Sequence, residues 1–167
     1  MTYFAAALAR TEQGWAGVEL DLDEHDDLES VVEALRELTG DGPGPGLLLL
    51  EEDDEHLVVV RADGGPDATT DPRVFVSDER AVAASEVTKM LWEGEEPAEE
   101  EEAEQEDEST GAVLATPVGD AALLFDLGTP ADELLRLCAE EGLLPADVMT
   151  ELCERAGCLD ELDALRD

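Results

Sequence analysis

The sequence predicts an α+β fold. The expected form is a mainly antiparallel five-stranded sheet in the order β-β-α-β-β-β-α, with helices on one face, an acidic linker and a small C-terminal helical module. Three observations lead there. Short apolar runs separated by turn residues recur before Glu93, and two stretches between them carry apolar residues at helical spacing. From Glu93 to Glu108, eleven of sixteen positions are Asp or Glu and none is basic. Such a run repels itself and offers too little apolar surface to offset its ordering entropy. The expected organisation is therefore an α+β domain over 1–92, an acidic, disordered linker over 93–111 and an all-helical module over 112–167.

The first two strands are expected at Tyr3–Ala9 and Trp15–Leu22, joined by the turn signal Thr11-Glu12-Gln13-Gly14. On the second, Val18, Leu20 and Leu22 share one face, and Glu19 and Asp21 take the other. Asp26 or Asp27 can cap the next helix, and Asp26 with Glu29 has the spacing of a capping box. Leu28, Val31, Val32, Leu35 and Leu38 form its apolar stripe, and Gly40 ends it. After the loop Gly42–Gly46 come Leu47–Leu50, an acidic turn at Glu52-Asp53-Asp54, and Leu57–Val60. Neither of these strands alternates, so both of their faces should be covered. One helix layer covers a single face. The other requires the C-terminal part, a second subunit or another protein.

Arg73–Ser77 reads as a fifth strand. Asp78 can cap a helix that turns Val82, Ala83, Val87, Met90 and Leu91 inward. Beyond the acidic run, Ala121–Leu127 reads as a short apolar helix stopped by Gly128. Thr129-Pro130 opens a second helix bearing Leu134, Leu135, Leu137 and Cys138. Pro145 opens a third, with Val148, Leu152 and Cys153 inward and Gly157 as its stop, and Leu159–Leu165 adds a last turn or two.

Charge bounds the function. Asp and Glu number 46 against 9 Lys plus Arg, a formal net charge of −37 over 167 residues. Phosphate backbones and anionic membranes are bound by Lys and Arg, and no basic stripe exists here to do that. The natural partner is a basic protein, since an acidic surface speeds that encounter. A homodimer through the sheet is left open. The start has no basic n-region and no apolar stretch reaches the length of a membrane span, so a cytoplasmic location is expected, with reduced cysteines.

Cys138, Cys153 and Cys158 lack CxxC spacing and a nearby His, so zinc is not expected; Cys138 and Cys153 fall on apolar helix faces, and Cys158 is the one expected to be exposed. His25 and His56 stand beside carboxylates, which can orient a general base, but neither lies in a hydrolase, metalloprotease or deaminase motif. Both are expected at the surface. Asp21, Asp23, Asp26 and Asp27 do not fit a calcium loop, since Asp26 and Val32 stand where Gly and Glu are needed. Gly42–Gly46 lacks the Lys of a phosphate loop. No catalytic, cofactor-binding or metal-binding residue is assigned, and no cofactor is expected.

A set of ordered motifs resembles one family. Tyr3-Phe4-Ala5 leads to Trp15 and Glu19-Leu20-Asp21-Leu22-Asp23. Leu50-Glu51-Glu52-Asp53-Asp54-Glu55 and Asp71-Pro72-Arg73-Val74-Phe75-Val76-Ser77-Asp78 follow. After the acidic run come Pro117-Val118-Gly119-Asp120, Leu137-Cys138-Ala139 and Cys153-Glu154-Arg155-Ala156-Gly157-Cys158. The chain resembles the tRNA adenosine deaminase-associated proteins of actinobacteria. That resemblance implies association with the deaminase, in the context of tRNA modification, and carries over no active site. The expected function is a non-catalytic acidic accessory protein whose basic partner is the tRNA adenosine deaminase. The alternatives are an acidic adaptor for another basic, nucleic-acid-binding protein, and a cryptic enzyme using Cys158 or His56.

Overall fold

The computed structural model describes residues 3–42, 44–52, 56–63, 72–92, 117–139 and 144–166. The acidic run expected as a linker lies outside the described residues, as do Asp53, Asp54 and Glu55. The sheet has six strands: β1 (Tyr3–Thr11), β2 (Gly14–Glu19), β3 (Gly46–Glu52), β4 (His56–Ala62), β5 (Arg73–Val76) and β6 (Val118–Gly119). All neighbours run antiparallel, in the order β2-β1-β3-β4-β5-β6. The sixth strand corrects the expected five. It comes from beyond the acidic run, in the segment read as all-helical, and two residues are too few to show alternation.

The central strands explain the layering. In β3 and β4, Leu48, Leu50, Val58 and Val60 point to one face, and Leu47, Leu49, Leu57 and Val59 to the other; all are buried. The first face meets α1 (Leu28–Thr39), α2 (Arg80–Ala84) and α3 (Glu86–Leu91) through Val31, Val32, Leu35, Val82 and Leu91. The second face meets α4 (Ala131–Ala139), α5 (Pro145–Ala156) and α6 (Leu159–Arg166) through Leu134, Leu137, Met149, Leu152 and Leu162. Helices therefore cover both faces of the sheet. Of the three candidates for the second cover, the C-terminal part is the one in place. Each fully buried Leu or Val contributes roughly 1.5–3 kcal/mol relative to exposure, which is why an uncovered second face is so costly.

Local chemistry moves several boundaries. The second strand ends at Glu19, and Leu22 instead opens a 3-10 turn, Leu22–Glu24, capped by Asp21. Helix α1 is capped by Asp27, whose Oδ1 accepts from Ser30 N at 2.9 Å, and not by an Asp26–Glu29 box. The helix expected after Asp78 breaks at Ser85, which is extended at φ −110°, ψ 125°. Ala121–Leu127 forms turns ending in a 3-10 turn, Phe125–Leu127. There Arg61 takes the Leu123 carbonyl, the group that Leu127 N would need for an α-helical bond, and Leu127 N donates to Leu124 O at 2.9 Å.

Strand β6 fits beside β5 because Gly119 has no side chain. At φ +98°, a Cβ would stand 2.2 Å from the Val74 carbonyl oxygen. The Pro117–Asp120 motif and the Arg73–Val76 strand thus meet in space, with Phe75 opposite Gly119 and Val76 opposite Val118.

Candidate functional site

Two clusters of polar side chains stand in the interior. The first lies where α3 begins, over the ends of β3 and β4. Glu52 and His56 are opposite each other across the β3–β4 ladder. His56 Nε2 lies 2.9 Å from Glu52 Oε1 and 3.2 Å from Thr88 Oγ1. Ser85 Oγ donates to the same Glu52 oxygen at 2.5 Å and accepts from Thr88 N at 3.1 Å, so one hydroxyl caps α3 and ties it to the sheet. Glu52 is fully buried, and its Oε2 has no hydrogen-bond partner among the described residues. The arrangement holds a serine, a carboxylate and an imidazole, but Ser85 and His56 converge on the carboxylate and not on each other. A nucleophile needs contact with its base. The geometry fits a structural pin. His56, expected at the surface, is buried at 8 % exposure.

The second cluster joins the sheet to the C-terminal segment. Arg61 and Arg73 stand directly opposite across β4 and β5. Like charges so placed repel, and aspartates surround them. Arg61 donates through Nη1 to Asp126 Oδ1 at 2.5 Å, through Nη2 to Asp126 Oδ2 at 2.9 Å, and through Nε to Asp63 Oδ1 at 2.9 Å. Its Nη1 also reaches the Leu123 carbonyl at 2.6 Å. Arg73 lies 3.5 Å from both Asp120 and Asp63. The bonds from Arg61 hold the Asp126 carboxyl below its ordinary range, and those from Asp126 hold the guanidinium above its own. Sequence reasoning missed this cluster. Its partners are 65 positions apart, and a lone Arg in an apolar strand, as at Arg61, was the available signal.

The other candidates are placed as follows. His25 Nδ1 lies 3.1 Å from Ser30 Oγ at the start of α1. Asp21 Oδ1 accepts from Asp23 N at 3.0 Å, and Asp27 caps α1, so two of the four loop aspartates cap backbone. Cys153 is in the core, and Cys138 packs against it half-buried. Cys158, expected to be exposed, is fully buried; the chain turns through Gly157 and carries it under α5 and α6. Burial pushes the Cys138 thiol up to about 12. Cys153 is raised further, by its bond to Cys158 and then by burial. Both stay protonated at neutral pH, which removes thiolate nucleophilicity. Among the described residues, no group of three His, Cys, Asp or Glu side chains is placed to hold a metal ion. No helix of the described residues is long and apolar enough to cross a membrane.

Outside the interior, carboxylates dominate. Glu29, Glu33 and Glu37 form an exposed stripe along α1, and Asp160 and Asp163 are exposed on α6. Several of the arginines are engaged within the chain. Arg80 pairs with Asp78, Arg136 with Glu133, and Arg155 with Glu133 and Glu151. Arg166 donates to Thr150 Oγ1 and the Ala146 carbonyl, and Arg10 stacks 5.9 Å above Trp15.

These features define an acidic α+β protein whose buried polar groups fasten elements together. The chain belongs to the Rv3753c-like tRNA adenosine deaminase-associated protein family, whose model matches residues 3–159. The family is described as associated with the deaminase, not as the deaminase itself. Neither a curated protein nor a solved structure matches the chain.

Proposed function

We propose that this protein is a non-catalytic accessory protein that binds the tRNA adenosine deaminase in the cytoplasm through its acidic surface. The observation that carries the reading is the charge distribution: 46 acidic side chains against 9 basic ones, with the arginines just described drawn into intramolecular contacts. An enzyme that binds tRNA must present basic surface to phosphates. A protein of opposite sign is steered to that surface and competes there with tRNA, or shields it when tRNA is absent. The family description, association with the deaminase, supports this choice of partner. The helices on both faces move the docking surface away from the sheet faces, to the acidic helix faces and the sheet edges.

Co-purification from cell extract tests this. Tagged protein should recover the deaminase at low salt and less of it at moderate salt, since exposed charge pairs are screened. Failure at both salt levels would count against the reading, and recovery of a different nucleic-acid-binding protein would favour the adaptor alternative.

A further inference from the structure

We infer that the outer edge of β2 is a docking site for a basic, extended segment of a partner protein, which adds as a seventh strand. This names a mode of contact for the function proposed above, and only the partner's identity rests on that reading.

Register fixes which backbone groups of β2 face outward. Leu20 N donates to Ala5 O at 2.9 Å, so Leu20 and Ala5 are a hydrogen-bonded pair. Alternation along an antiparallel ladder then assigns Val18, Ala16 and Gly14 to bonds with β1. Trp15, Gly17 and Glu19 direct their N–H and C=O groups the other way. Strand β2 ends the sheet, and no described strand pairs with that side. Proteins usually blunt such an edge with Lys, Pro or a bulge. None of these interrupts Gly14–Glu19, whose pairing with β1 is unbroken.

Charge selects the occupant. Trp15, Gly17 and Glu19 share the face over which α6 lies; a Cβ at Gly17 would stand 3.4 Å from Glu161 Cβ. Glu12 and Glu19 are exposed on the hairpin, and Asp160 and Asp163 on α6. Arg10, at the turn end of the hairpin, is stacked on Trp15. On the opposite face Val18 is 43 % exposed. An incoming strand therefore meets carboxylates on one side and an aliphatic side chain on the other. Cross-strand neighbours favour opposite charges and apolar pairs. The matching segment alternates Lys or Arg with aliphatic residues, and its backbone supplies the missing ladder. A second copy of this chain would instead bring its own carboxylates to the same edge.

Amide hydrogen exchange of the full chain, read residue by residue by NMR, tests the proposal. The probes are the peptide acetyl-Lys-Val-Lys-Val-Lys-Val-Lys-amide, a peptide of equal charge with Pro in place of the central Val, and the purified deaminase. The alternating peptide should slow exchange at Trp15, Gly17 and Glu19 by about tenfold, the equivalent of one net hydrogen bond, and the Pro peptide should not. Glu19→Pro removes an outward N–H without touching the β1 ladder and should weaken peptide binding by about tenfold. Glu19→Gln keeps that N–H and should retain the protection pattern. Equal effects of the two peptides, no protection at the three amides, or full binding by Glu19→Pro would overturn the inference. So would protection that grows with protein concentration alone, which would give the edge to a second copy. Peptide protection without deaminase binding leaves the edge site standing and removes the deaminase reading. Deaminase binding that leaves the edge amides unprotected does the reverse.

Discussion

Arg61 fastens the sheet to the C-terminal segment through a single buried guanidinium, and the two ends of its pair with Asp126 are unequal. The Arg61 side chain is 6 % exposed, whereas that of Asp126 is 58 % exposed. Removing the carboxylate leaves the buried cation with Asp63 and the Leu123 carbonyl, while removing the cation frees a carboxylate that water can solvate. Asp126→Ala should therefore cost about 2 kcal/mol, less than a fully buried pair broken from one side, because Asp63 still pairs with the guanidinium. Arg61→Met, similar in length and apolar, should cost less, about 1 kcal/mol. Urea unfolding of both variants checks the order. The same pair predicts acid sensitivity. The Asp126 pKa is lowered in the folded state, chiefly by its bonds from Arg61. Its contribution is thus fully present above the unfolded carboxyl pKa of about 4 and is lost as pH falls through the lower folded value. Below about pH 4, wild type should lose stability more steeply than Asp126→Asn; parallel acid limbs would show that the pair contributes nothing there.

At the scale of elements, Ser85 decides how the second N-terminal helical stretch is built. In one continuous helix Val82 and Leu91, nine positions apart, would lie about 180° apart; the break lets both reach the same core. Ser85 ends α2, caps α3 and donates to buried Glu52. Ser85→Ala removes a cap and leaves a buried carboxylate short of a donor, and it should cost about 2 kcal/mol. A melting temperature unchanged from wild type would show that the break has another cause. The elements legible in the sequence were those whose cause is local. The hairpin at Thr11–Gly14, the α1 stripe with its Gly40 stop, and Pro145 opening α5 all carry their signals within a few positions. Ser85 was not legible, because its decisive partner Glu52 is 33 positions away. The Ala121–Leu127 helix was misread for the same reason, since Arg61 claims one of its carbonyls from another strand. Their flanking residues point His56 and Cys158 to the surface, but strand pairing and helix packing bury them.

Across the whole molecule, the two segments on either side of the acidic run share one sheet. Leu47, Leu49, Leu57, Val59 and Phe75 face α4–α6, not solvent. The absence of alternation in β3 and β4 made it legible that two covers were needed. Which segment supplied the second could not be read, because β6 is two residues long and the helices meet the sheet only through tertiary contacts. A chain of residues 1–92 alone should therefore aggregate or lack a cooperative transition; a monomeric peak with wild-type melting on size exclusion and calorimetry would contradict the shared core. Charge acts at this scale too, as a field and not as a site, so the account rests most heavily on the sign of what the protein binds. The most direct measurement is the affinity of the intact, purified protein for purified deaminase and, in parallel, for its naked tRNA, each at two salt concentrations. Saturable binding of the deaminase that weakens as salt rises is expected, with no selective binding of tRNA. Tight capture of tRNA, or indifference to the deaminase at low salt, would contradict it.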